Sequence, residues 1–207
     1  MNYDTTIYTD GSGLGKGGLG GWASVIYEDG NDPKINLGNG EGNSAELEVR
    51  AVLASLQYLV ENTKSFRKAV IYTDNKYVAL GVARWMYTWE HNRWMKSNGE
   101  RVFARHLWER MINLARILDK KLYVKWVRSH NGNPGNELAD EKAKSARKQM
   151  KDGTRIIYNI YDLIAGDKFI FDDTELEAKK VTHRGIYIEG DNSDELIEWD
   201  WERINIL

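Results

Sequence analysis

The alternation of apolar and polar positions changes period several times along the chain, and each change marks an element. Residues 3 to 9, 22 to 28 and 34 to 40 are short runs rich in β-branched and aromatic side chains. A glycine-rich segment and the polar turn at 29 to 33 separate them, which predicts an antiparallel meander of three strands. From residue 43 to 62 the period lengthens, with Val49, Leu53, Leu56 and Val60 at helical spacing. Residues 68 to 73 return to strand character, 75 to about 89 and 102 to 118 read as amphipathic helices, 121 to 127 as a fifth strand, and 136 to 150 as a last helix. The order predicts the α/β class: a mixed five-stranded sheet with flanking helices.

Candidate chemistry enters through an internal echo. Ile-Tyr-Thr-Asp occurs at residues 7 to 10 and again at 71 to 74, each time closing a strand. If the two strands are parallel neighbours, Asp10 and Asp74 emerge together at the edge where α/β proteins bind ligands. The plainer reading is that each Asp starts a turn. Glu46 lies in the first helical turn in line with Val49, Leu53 and Val60, so it is expected to point along the core-facing stripe. Asn43 and Glu46 also fit a capping box. Glu48, about 200° further round an ideal helix, is the weaker candidate. Asp140 falls early in the last helix, where an acid also complements the helix dipole. Four converging acids suit two hard divalent cations that activate a water and stabilise the leaving oxygen of a phosphodiester. Without metal, two carboxylates near 4 Å repel by on the order of 4 kcal/mol at an effective dielectric of 20. His130 sits in a polar, glycine-containing loop suited to an exposed proton carrier or to no role at all. Asn136 fits a backbone cap before the last helix.

Charge sharpens the picture once the chain is divided at Met150. Residues 1 to 150 carry 22 Lys and Arg against 17 Asp and Glu, whereas 151 to 207 carry 7 against 14. Between Arg84 and Arg128 the balance is 11 basic to 4 acidic, the footprint of a polyanion binder. Trp85, Trp89 and Trp94 alternate there with Arg84, Arg93, Lys96 and Arg101, either lining a nucleic-acid strand or packing a helical hairpin. The sequence has no cysteine, which excludes disulfides and thiolate chemistry and suits a reducing compartment. With no signal-peptide pattern or long apolar run, a cytoplasmic protein off the membrane is expected.

The stretches TDGSGLGKGGLGGW (9 to 22), NSAEL (43 to 47), YTDNKYV (72 to 78) and SHNGNPGNELADEKA (129 to 143) resemble the ribonuclease H type 1 family, in order and spacing over about residues 3 to 148. The resemblance implies a ribonuclease H-like fold and a metal-dependent endonuclease that cuts the RNA strand of RNA/DNA hybrids. It implies that Asp10, Glu46, Asp74 and Asp140 are the catalytic acids holding two Mg²⁺ ions, for which Mn²⁺ can substitute. It also implies that His130 assists proton transfer or product release, and that Gly11, Ser12, Asn43, Asn75, Lys76, Arg93, Trp94 and Asn136 contact substrate. Lys16 and Lys76 depart from the neutral amides usual in the family, and Glu41 and Gly42 occupy part of its polar phosphate pocket. These departures bear on phosphate register, not on the reaction. The alternatives are a catalytically silent hybrid-binding module and a DNA-acting nuclease of the same fold.

Residues 151 to 207 carry short β-like runs at 155 to 161, 168 to 172, 175 to 182, 184 to 189 and 196 to 205, which predicts a separate small β-rich unit, either open or a compact barrel. Its net charge of -7 is expected to repel nucleic acid, leaving a protein partner or docking onto the catalytic domain; a monomer is expected.

Overall fold

The computed structural model describes residues 2–15, 18–28, 30–182, 185–190, 193–198 and 204–206 of the 207-residue chain. Lys16, and parts of the predicted runs at 184 to 189 and 196 to 205, lie outside the described residues.

Strands β1 (Thr5–Gly13), β2 (Leu19–Glu28) and β3 (Lys34–Glu41) form the expected meander. After helix α1 (Ser44–Glu61), strand β4 (Ala69–Thr73) pairs parallel to β1, and β5 (Leu122–Trp126) pairs parallel to β4. The sheet order is β3-β2-β1-β4-β5, the predicted mixed sheet. β1 and β2 run further into the glycine-rich segment than the pattern suggested, with Asp10 opposite Ala23 and Gly13 opposite Gly20. Glycine marks close packing here as well as turning: a Cβ on Gly21 would lie 2.3 Å from the Arg147 backbone nitrogen. That is how helix α5 (Pro134–Lys151) lies directly on β2.

The helical stretch after β4 is three pieces. α2 (Lys76–Leu80) passes through a wide turn at Gly81–Trp85 into α3 (Met86–His91). The Trp108 ring of α4 (Arg105–Leu118) fills the space a Cβ on Gly81 would need, so the turn widens where the two segments cross. α1 is buried on more than one side, since it packs on β1 and β2 as well as on α4, and every residue from Leu47 to Leu56 is buried.

Beyond α5 the chain forms two three-stranded antiparallel sheets and no closed barrel among the described residues. β6 (Lys168–Phe171) pairs with β7 (Thr174–Glu177) and β11 (Ile204–Ile206). β9 (Gly185–Ile188) pairs with β8 (Lys180–Thr182) and β10 (Glu195–Glu198). The predicted strand at 155 to 161 is instead an irregular strap with a short turn at Ile160–Asp162. The strap is sewn to the main sheet: Asn39 and Ile156 exchange backbone and side-chain hydrogen bonds of 2.8 and 2.9 Å. Asp162, fully buried, accepts from Trp22 Nε1 at 2.7 Å and from the Tyr158 and Asn159 amides. Burial pushes the Asp162 carboxyl up, and Arg50, with Nη1 3.8 Å away, pulls it back. Tyr161, Leu163, Phe169 and Ile186 belong to the same apolar cluster as Ile7, Leu53 and Trp108, so the acidic segment shares the main core.

Candidate active site

Parallel pairing sets Thr9 beside Thr73, so the next residues, Asp10 and Asp74, emerge side by side. The third acid arrives on α1. A Cβ on Gly11 would lie 2.3 Å from the Glu48 amide nitrogen and 2.6 Å from the Leu47 carbonyl carbon, so bare strand backbone rests on helix backbone. This contact delivers Glu48 to the strand ends. Asp10, Glu48 and Asp74 each offer a carboxylate oxygen, and the three atoms lie within 4.8 Å of one another. Thr73 Oγ1 donates to Glu48 Oε2 at 3.5 Å. Trp126 Nε1 donates to the Asp74 carbonyl at 2.8 Å, and Asn136 Nδ2 to its carboxylate at 3.5 Å.

Glu46 does not join the cluster. Its carboxylate accepts from Arg50 Nη2 at 2.6 Å, one helical turn on, and its amide is capped by Asn43 Oδ1 at 3.0 Å. The stripe through Val49, Leu53 and Val60 was a poor guide because α1 is buried on several sides. The sheet-facing line is instead Glu48, Ala51 and Ser55, where small residues let the backbones approach and Ser55 Oγ meets Ser24 Oγ at 2.8 Å. Asp140 stands beside the trio without belonging to it, held by Lys144 Nζ at 2.6 Å.

Burial and like charge dominate the electrostatics. Burial, then Asp74 and Asp140, push the Asp10 carboxyl up to about 7, against a smaller downward pull from Lys144. Glu48 is raised well above its ordinary value by burial and then by Asp10 and Asp74; hydrogen bonds from Gly11 and Thr73 offset only part of this. Such a cluster is unfavourable by itself and fits divalent cations, whose charge removes the repulsion and whose preference is for carboxylate oxygen.

The remaining predicted residues are placed as follows. Asn133, not Asn136, caps α5, accepting from the Asn136 amide at 3.1 Å, because Pro134 opens the helix two residues earlier than expected. Asn136 is thereby buried beside Asp74, and its Oδ1 has no hydrogen-bond partner among the described residues. His130 is exposed on the loop before α5 in a left-handed conformation, φ 49°. Ser12 is buried at the strand end, and Asn75 caps α2 by accepting from the Tyr77 and Val78 amides. Lys76 is exposed, its Nζ 4.4 Å from the Trp126 ring centre. Arg93 is exposed, but Trp94 is buried and its side chain packs in the core, which leaves it only a minor share of the cleft lining in place of the expected substrate contact. Trp85 and Trp89 likewise pack with Tyr77. Sequence reasoning passed over Trp126 and Lys144, which an aromatic closing β5 and a basic residue four after Asp140 could have flagged.

A five-stranded mixed sheet with a buried and a half-buried carboxylate at its parallel strand ends defines a ribonuclease H-like α/β domain. Residues 2–148 match the model of the RNase H family, and the chain belongs to that family. It is 33% identical over 147 residues to a Ribonuclease H from Xanthomonas oryzae, covering 71% of this chain and 94% of that one. Among solved structures it resembles the PFV RNase H domain, with TM-score 0.60 and 17% identity over 72% of this chain and 96% of that one. It also resembles a foamy viral protease-reverse transcriptase solved in complex with RNA/DNA hybrid, with TM-score 0.55 and 18% identity over 70% of this chain and 20% of that one.

Proposed function

We propose that this chain is an endoribonuclease that hydrolyses the RNA strand of RNA/DNA hybrids, with Asp10, Glu48 and Asp74 holding divalent cations, Mg²⁺ or Mn²⁺, and Asp140 at their margin. The observation that carries the reading is the convergence of three buried or half-buried acids in a chain of this family. When bound, such cations would supply Lewis-acid stabilisation of charge on the phosphodiester oxygens and lower the pKa of the attacking water.

The chain's own groups set the geometry. Trp126 and Asn136 fix Asp74 from its backbone and side-chain ends, Thr73 orients Glu48, and Lys144 balances Asp140. His130, exposed on its loop, can carry a proton between solvent and the reacting phosphate. Around the acids, the Gly11 backbone, Ser12, Asn43, Asn75 and Lys76 are candidates to sense ribose hydroxyls and phosphates across a wide, shallow minor groove. Residues 1–150 carry the catalysis in this reading, and 151–207 form the acidic β-rich unit. A cysteine-free sequence accords with work in the cytoplasm.

The test is a cleavage assay on labelled RNA/DNA hybrid, RNA duplex and DNA duplex, with and without divalent cation. Cation-dependent cutting of the hybrid alone is expected. Binding without cutting would leave a silent module, and cutting of the DNA duplex a different nuclease.

A further inference from the structure

We propose that the acidic C-terminal unit forms one wall of the groove that holds the hybrid, with Lys180 contacting its phosphates; this rests on the reading of the site given above. A cleft of about 1550 Å³ opens at the turn between β3 and α1. Asn43 and Glu46 line it, at the cap and in the first turn of the helix that carries Glu48; the helix start is what the cleft shares with the acid cluster, whose own carboxylates do not line it. Arg93, Arg101 and Phe103, before α4, line it. Lys179, Lys180 and Thr182, at the start of β8 and along it, line it from the C-terminal unit.

The volume exceeds the roughly 300–1,000 Å³ of small-molecule sites, which points to an elongated ligand. The placement of unpaired cations points to a polyanion. Arg93 and Arg101 make no ion pair among the described residues. Lys179 is occupied by Asp194 at 3.2 Å and Glu189 at 3.5 Å. Lys180 is exposed, with the Tyr187 ring near its ammonium, 5.8 Å from the ring centre, and no carboxylate partner among the described residues. Glu41, Glu46, Glu109 and Glu198 also line the cleft, so bulk charge does not make the case. What makes it is an exposed lysine without a carboxylate partner, on a wall tied to the main sheet, lining the same cleft as two unpaired arginines. The wall is rigid because the strap bonds to Asn39 and Trp22 and the unit shares the main core. The net charge of 151–207 predicted repulsion of nucleic acid, but Lys180 lines the groove without a carboxylate partner among the described residues.

The test uses the full chain and its Lys180→Ala and Lys180→Glu variants. The control is Lys168→Ala, on β6, whose lysine pairs with Glu175 at 2.9 Å and does not line the cleft. KM and kcat are measured on two hybrids differing by about one helical turn, ~10 base pairs, across a salt series. Losing one phosphate contact lowers the logarithmic salt slope by about 0.9, so the wild-type advantage over Lys180→Ala should shrink about threefold between ~50 and ~200 mM salt. The expected result is a raised KM on the longer hybrid, larger for Lys180→Glu, with kcat unchanged and Lys168→Ala like wild type. Wild-type KM and slope in both Lys180 variants, or an equal effect in Lys168→Ala, would overturn the wall and assign the surface to another partner. A wild-type chain that leaves the hybrid uncut would overturn the reading of the site, and the wall with it.

Discussion

Replacing Asp10 by Asn should stabilise the metal-free protein while abolishing cleavage. Asp10 is 7% exposed and carries its proton up to about pH 7 in the folded state, against an ordinary value of 3.8. Below about pH 4 both folded and unfolded chains are protonated there, and the group contributes nothing. Between about 4 and 7 the folded state binds the extra proton, so stability falls as pH rises; above 7 the full cost remains, on the order of 4 kcal/mol. Asn keeps the shape without the charge. For a chain of this length ~1 kcal/mol moves Tm by about 2–4 °C, so the variant should melt roughly 8–16 °C above wild type at pH 8 in chelator, and level with it near pH 4. Saturating Mg²⁺ should then narrow or reverse the gap, because the cation stabilises only the chain that binds it. Thermal melts by circular dichroism at both pH values check this. An Asp10→Asn variant that melts below wild type in chelator at pH 8, or gains as much at pH 4 as at pH 8, would refute the reasoning.

Three further outcomes follow from the same geometry. Glu48→Gln should lose at least about a hundredfold in kcat, on the scale of removing a preorganised charged group, whereas Glu46→Gln should stay within about tenfold of wild type because Glu46 is paired with Arg50; single-turnover cleavage separates them. Gly11→Ala should lower both stability and activity, since its Cβ must push α1 and Glu48 off β1, and the melt and the cleavage assay should fall together. Trp22→Phe removes a donor from fully buried Asp162 and should cost about 1–3 kcal/mol, read as a lower Tm with the metal-dependent activity retained.

Much of the sheet was legible because its strands alternate and its connections dictate which are parallel. Asp10 and Asp74 could be paired from the repeated tetrapeptide alone, since parallel register carries sequence symmetry into space. The helix acid was misassigned for a physical reason. A single apolar stripe locates the core only when a helix has one buried face, and α1 is enclosed; the small residues Ala51 and Ser55 carried the better signal for Glu48. Trp94 misled because an aromatic among cations looks the same whether it stacks on a base or anchors a hairpin. The strap at 155 to 161 has strand-like composition, but its hydrogen bonds go to Asn39 and Asp162 instead of a ladder.

The bonds between Asn39 and Ile156 have a consequence for solubility. β3 is one of the two outer strands of the main sheet, and a bare outer strand is an invitation for another molecule to extend the sheet. Ile156 of the same chain occupies the middle of that edge, at Asn39. Shortening the chain at Met150 would therefore do more than delete an appendage: it would uncover a self-templating border and favour association over dispersal.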